Sequence, residues 1–286
     1  MHIRYKATIT NGAGRRGFFV LCFWGAAALA APWLAPHAPD AYVGNAFSSP
    51  SLQHWFGTND VGQDILSQLL FSARTSLIVA LSAAGLANAA GLVIGGGCAL
   101  LGDRADRTAA RLIDIWLVIP PILGAMLAAA YLRPSPVLLA VILAAFFWTN
   151  SARLVRAQTL ALKESDKIAA VRAIGAGPVY VFRRHILPEV WPVLWATIIH
   201  DARRAVFMEA GLAFLGICDP TAPSWGRMIQ QALAFTYLDA WRWWLVPAGL
   251  AVSTVVVAFS LVGYALETVQ NPRLAAHPEV SDAADR

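Results

Sequence analysis

Six long apolar runs narrow what this chain can fold into more than any other feature. They fall at Gly17–Ala35, Ser76–Leu101, Ala109–Leu132, Pro136–Val155, Val190–Ile217 and Trp243–Leu266. About 20 apolar residues in a helix cross the hydrocarbon core of a bilayer. Backbone polar groups in lipid must be satisfied within the segment, which selects helices over open strands. The composition agrees: 58% hydrophobic and only 14% charged, against about 25% charged in soluble domains. The expected fold class is an all-α membrane protein with six transmembrane helices. Arg15 and Arg16 precede the first run much as a signal peptide's basic start would, but the length of the run favours a spanning anchor. The fourth run is the weakest, since Arg153 within it must snorkel to the interface.

Six spans place both termini on one side, and the positive-inside rule says which. With both termini cytoplasmic, sixteen Lys and Arg residues fall on the inner side and four on the outer. The remaining two, Arg203 and Arg204, lie within the fifth run. The expected organisation is a cytoplasmic segment 1–16, a first helix 17–35, an external segment 36–75 and a five-helix domain 76–268. That domain contains an inner segment 156–189, and a cytoplasmic tail 269–286 follows it. The polar residues after Leu274 are expected to be disordered. In this setting the net charge of +5 marks the inner membrane face, so lipid rather than nucleic acid is the expected partner. The cysteines Cys22, Cys98 and Cys218 lie far apart and form no C-x-x-C pair, so neither a disulfide framework nor a metal site is expected.

The inner segment contains "RAIGAGPVYVFRRHILPEVWP", Arg172–Pro192, too charged to span and too apolar to be a tether. Ser165 or Asp166 can cap a helix running through Arg172, with Ile168, Val171 and Ile174 on one face. Gly175, Gly177 and Pro178 stop it and start a second helix, Val179 to Ile186, which Pro188 is expected to end. Such a basic, apolar-striped pair could lie on anionic lipid or fill a groove on a cytoplasmic partner. Periodicity does not separate the two.

"IIHDARRAVFMEAG", Ile198–Gly211, puts charge deep in the fifth run. Counted from Val190, His200 to Arg204 lie roughly 15–21 Å in, where an isolated charge costs at least about 2.5 kcal/mol. In one reading they are structural: Asp201 neutralises Arg204 at i, i+3, and Glu209 pairs with a neighbouring subunit. In the other, His200, Asp201, Arg203, Arg204 and Glu209 line a translocation path. Asn88 reads as a polar contact between helices, Asp114 as a partner of Arg111 or a neighbouring helix, and Trp241, Arg242, Trp243 and Trp244 as an interfacial belt. Gly91, Gly95, Gly96 and Gly97 read as a close-packing stripe.

No G-x-x-x-x-G-K-[ST] loop occurs, so the chain is not expected to bind ATP itself. No H-E-x-x-H or G-x-S-x-G constellation supports an intramembrane enzyme, and no catalytic residues are assigned. A transport subunit leads, and a channel-like or scaffold protein remains the alternative from another class.

Four stretches resemble one family. Ala169-Ala170-Val171, Gly175 and His185-Ile186-Leu187-Pro188 are similar to the E-A-A…G…I-x-L-P signature of ABC-importer permeases. "HWFGTNDVGQDILSQLLFSARTSL", His54–Leu77, resembles an external motif of the dipeptide, oligopeptide and nickel branch, with Asn59 and Gln63 replacing its Asp and Arg. "RLIDIWLVIPPIL" and "EAGLAFLGICDPTAPSWGRMI" resemble that branch's third and fifth spans. The resemblance implies a type I ABC-importer permease fold in a bacterial inner membrane. The implied partners are a second homologous permease, two cytoplasmic ATPase subunits that carry ATP and Mg, and an external substrate-binding protein. It assigns ATPase coupling to Ala169, Ala170, Val171, Arg172, Ala173, Ile174, Gly175, Ala176, His185, Leu187 and Pro188. It assigns the external side to Gly57, Thr58, Asp60, Gly62, Asp64, Ser224, Trp225 and Gly226. Ala169 stands where the family has Glu, so the acidic contact to the ATPase is missing or moved. The implied cargo is a di- or oligopeptide, with nickel or a metal chelate as the alternative.

Overall fold

The computed structural model describes residues 12–270; the expectations for the two terminal segments lie outside them. The described residues are helical with two isolated β-bridges. Helix α1, Gly12–Leu34, is followed by an irregular stretch 35–64. Helix α2 runs over Ile65–Leu101, 37 residues, and widens into a π-helical turn at Leu92–Gly96. Next come α3, Asp103–Leu117, α4, Pro121–Leu132, and α5, Pro136–Lys163. Helices α6, Asp166–Ala173, and α7, Pro178–Val181, form an elbow that passes through a second π-helical turn, Phe182–Ile186, into α8, Leu187–Phe214. Helix α9, Trp225–Leu233, and α10, Trp241–Gln270, complete the described chain.

Among the described residues, four helices are long and apolar enough to cross a membrane: α1, α2, α5 and α10. The expected third span is not one continuous helix. Pro120 precedes Pro121, which drives it to an extended ψ of 120° and ends α3 just before it; α4 then leaves at 76°. Helix α4 has 12 residues, about 18 Å, and is too short to span alone. As a bent pair, α3 and α4 make a fifth candidate. Helix α8 has the length, 28 residues, but carries Asp201, Arg203, Arg204 and Glu209.

The core lies where α2 packs on α5 and α8, and α10 packs on α1, α8 and α9. It is rich in alanine: Ala73, Ala80, Ala83, Ala84 and Ala87 of α2 are fully buried. Small side chains let helix backbones approach closely where no hydrophobic effect drives association. Gly91 and Gly95 take this furthest, since a Cβ at Gly95 would lie 2.2 Å from the Ala152 carbonyl of α5. Gly96 abuts Phe182 and Val155, but Gly97 faces open space and does not belong to the stripe. A second apolar cluster, including Val155, Ile168, Val181, Ile186 and Val190, seats the elbow on the bundle.

Candidate functional site

The charges of α8 separate into two environments. Asp201 is 2% exposed and held by three helices. Asn88 of α2 donates to it through Nδ2 at 2.9 Å, Ser151 of α5 donates through Oγ at 3.3 Å, and Arg204 Nη1 lies 3.7 Å away. Asn88 in turn accepts from Ser151 at 2.9 Å and Thr197 at 2.5 Å. Arg204 lies over the Phe147 ring, 4.5 Å from its centroid. This is a closed polar knot in an apolar interior, each member satisfying another. Arg203 and His200 lie outside it: Arg203 Nη2 is 3.2 Å from His200 Nδ1, and its Nη1 donates to Ser260 of α10 at 3.3 Å. With Glu267 they line a cavity of about 220 Å³.

Glu209 lies farther along α8, toward its C-terminal end. It is 3% exposed and accepts from Ser76 Oγ of α2 at 2.9 Å. It borders a cavity of about 140 Å³ whose wall includes Thr75, Cys218, Asp219, Ser224 and Arg227. A larger cavity, about 480 Å³, also borders Ser224 and Arg227 and extends to Asp40, Gln63 and Gln68. Ser224 caps α9, a helix the hydropathy pattern did not reveal, by accepting from the Arg227 amide at 3.3 Å. Trp225 is fully buried and donates from Nε1 to the Leu69 carbonyl at 3.1 Å; Gly226 lies against the Ala210 backbone. In the adjoining loop the Thr221 amide and hydroxyl both donate to Asp219, which holds its carboxyl below the usual range.

The stretch 35–64 is tied by side chains to its own backbone. Asp64 caps α2, accepting from the Ser67 amide at 2.8 Å and hydroxyl at 2.7 Å, with His54 Nδ1 at 3.1 Å. Thr58 donates to the Asn45 carbonyl at 2.6 Å and accepts from the Ser48 amide at 2.9 Å. Asn59 Oδ1 accepts from the Val61 and Gln63 amides. Gly57 and Gly62 turn at φ 67° and 82°. Of the residues expected on this face, Gly57, Thr58, Gly62 and Asp64 are buried, and Asp60 is half-buried beside exposed Val61.

At the opposite end, the elbow leaves its signature residues open. Ala169, Ala170, Arg172, Ala173, Ile174, Gly175 and Pro188 are exposed, whereas Val171, Ala176, His185 and Leu187 are half-buried.

Residues 87–276 match the family described as the binding-protein-dependent transport system inner membrane component. The chain belongs to this family. A Brucella suis protein provisionally named a peptide permease is 34% identical over 250 residues, covering 86% of this chain and 82% of its own length. A second Brucella suis protein, provisionally named a peptide transport system permease, is 34% identical over 262 residues, covering 91% of this chain and 88% of its own. The nickel transport system permease protein NikC of Escherichia coli K12 is 32% identical over 264 residues, 91% of this chain and 94% of its own. The chain is thus an inner-membrane permease component of a binding-protein-dependent ABC transporter, of peptide or nickel type.

Several details of the permease differ from the expected geometry. Pro188 does not end a helix: Phe182–Ile186 leads into α8 without a break, and Pro188 sits in the first turn of α8 after that π-helical turn. Ile174 does not share the buried face of Ile168; it is 85% exposed, because α6 ends at Ala173 and Gly175 turns away at φ 90°. Ser165 holds the N-cap position of α6, yet its hydroxyl donates back to the Leu162 carbonyl at 2.6 Å. Asp114 is exposed and makes no ion pair with Arg111; Arg156 of α5 takes Asp106 of α3 as its bidentate partner, at 2.6 and 2.7 Å, with Asp114 acting on it from farther off. Trp244 belongs to the core, stacked on Phe235, rather than to an interfacial belt.

Proposed function

We propose that this permease carries di- or oligopeptides inward through a path it shares with a second, homologous permease. It alternates access as two cytoplasmic ATPases, which hold ATP and Mg, close and open; the chain itself hydrolyses nothing. A substrate-binding protein delivers cargo at the loop end, near Asp60 and Val61. All six helical units, α1, α2, the bent pair α3–α4, α5, α8 and α10, cross the membrane with both termini cytoplasmic.

The observation that carries this reading is the similarity along most of the chain to permeases named for peptide and nickel transport. The elbow supports the coupling role: Ile174, Val179 and Tyr180 are 85%, 69% and 56% exposed at the end where the basic residues gather. An apolar helical corner of this kind suits a groove on a partner. Ala169 supplies no acid there, so the joint relies on shape more than charge.

The test is reconstitution of the chain with the permease, ATPases and binding protein encoded beside it. ATP-driven accumulation of labelled alanyl-alanine, absent without ATP, supports peptide import. Accumulation of labelled nickel without dipeptide transfers the assignment to nickel. A stable homo-oligomer that associates with no ATPase and leaks ions argues for a channel.

A further inference from the structure

The two buried acids of α8 are not equivalent. Asp201 has Arg204, Asn88 and Ser151 around it. Glu209 has only the hydroxyls of Ser76 and Ser224, and no cation lies within 4 Å of it among the described residues. A buried carboxylate without a counter-charge is costly, and an ionisable residue at membrane depth points to a ligand or path unless its partner is present. Glu209 borders a cavity rather than packed side chains. In the same wall Arg227, half-buried, likewise has no carboxylate within 4 Å among the described residues. Asp219 shares the wall; Thr221 occupies its Oδ1, and it acts on Arg227 only from beyond 4 Å. Arg227 and Ser224 border the larger cavity as well, so the two spaces adjoin at these residues. The result is an acid and a guanidinium, neither with an ion-pair partner within 4 Å among the described residues, on the wall of one part-open cavity.

We propose that this space is a subsite for the two charged termini of a short peptide, Glu209 receiving the ammonium and Arg227 the carboxylate. This rests on the transport function proposed above and names the chemistry its path selects. The guanidinium forms a planar fork suited to a carboxylate. It also opposes a dication in the same space, which sets the site against bare nickel. The hydroxyl of Ser76 holds the Glu209 carboxylate in place and supplies no compensating charge, so an arriving ammonium completes the pair.

Protection of a thiol in the cavity wall tests the site without relying on transport. In the assembled complex in proteoliposomes, Cys22→Ser and Cys98→Ser remove two native thiols and Ala222→Cys places a reporter in the wall. Cys218→Ser removes the third free thiol, which lies in the same wall. Alanyl-alanine at ten times its half-protecting concentration should slow labelling by an impermeant methanethiosulfonate about tenfold. N-acetyl-alanyl-alanine methylamide, with both charges removed, should give no protection. Glu209→Gln should raise the half-protecting concentration of alanyl-alanine about tenfold or more. Arg227→Gln should do the same for alanyl-alanine and leave alanyl-alanine amide unchanged, which keeps the test informative if the Glu209 variant does not assemble. Equal protection by the blocked peptide, protection by nickel chloride alone, or indifference to both variants overturns the site. Uptake of alanyl-alanine without protection overturns the site and leaves peptide import standing. Protection without uptake keeps the site and overturns import.

Discussion

Gly62 and Gly175 both hold the left-handed backbone, at φ 82° and 90°. A methyl group on the first would meet the Gly44 carbonyl oxygen at 2.2 Å, and on the second nothing within 4 Å. That difference extends to their surroundings. Around Gly62 the chain between α1 and α2 is cross-bonded by Thr58, Asn59 and Asp64, each satisfying two or more groups. Around Gly175 the elbow keeps Ile168 and Val181 buried but leaves Ile174, Val179 and Tyr180 uncovered. One end is tied together within this chain, and the other leaves apolar side chains uncovered. Irregular backbone stays ordered only when its polar groups have partners; a contact surface needs the opposite economy, few internal ties and an open face.

The contrast can be broken most severely at Gly62. Gly62→Ala should destabilise the loop end by about 3 kcal/mol or more, the left-handed strain and the backbone clash acting together. A lowered thermal midpoint of the purified complex and faster proteolysis between α1 and α2 would be the signs. Asp64→Asn comes next. It leaves the Ser67 groups with a weaker acceptor and removes the charge facing His54, for a loss of about 1–3 kcal/mol read in the same melt. Gly175→Ala should cost about 1–2 kcal/mol of left-handed strain confined to the elbow. The global melt should barely move, while ATP hydrolysed per substrate transported rises. A global melt shifted as far as that of Gly62→Ala would erase the distinction. Lys167→Ala is the smallest. Its bond to Glu189 at 3.3 Å lies on the exposed surface, and a loss above about 0.5 kcal/mol would be unexpected.

The periodic features of the sequence carried through to the structure, whereas features depending on one residue or on distant partners did not. Apolar runs disclose α1, α5 and α10, because hydropathy over 20 residues averages out local detail. Helix α2 begins at Ile65, well before the apolar run at Ser76, since Ser67, Gln68 and Ser72 make its first turns look like loop although they are buried. The Asp64 cap was the overlooked signal, an acid three residues before a Ser amide it accepts from. Helix α9 escaped because its apolar residues, Trp225, Met228, Ile229, Ala232 and Leu233, fall on one face of only nine residues, too few for a spanning signature. The local pair Asp201–Arg204 was legible at i, i+3, but Asn88 and Ser151 come from other helices and only folding brings them together. Arg227 drew no notice for the same reason: its meaning comes from Glu209, which belongs to another helix and a shared cavity.

The two π-helical turns, Leu92–Gly96 and Phe182–Ile186, touch where Gly96 abuts the Phe182 ring. A π turn holds one residue more than its α counterpart, and one residue is about 100° of helical rotation. The elbow's heading relative to α2 is therefore a phase, set in whole-residue steps at a contact between two surplus turns. Deleting one residue from Phe182–Ile186 would keep every side chain of α6 and α7 and aim Ile174 and Tyr180 in a different compass direction. The elbow's orientation is thus written in this chain as a count of residues as much as in their identity.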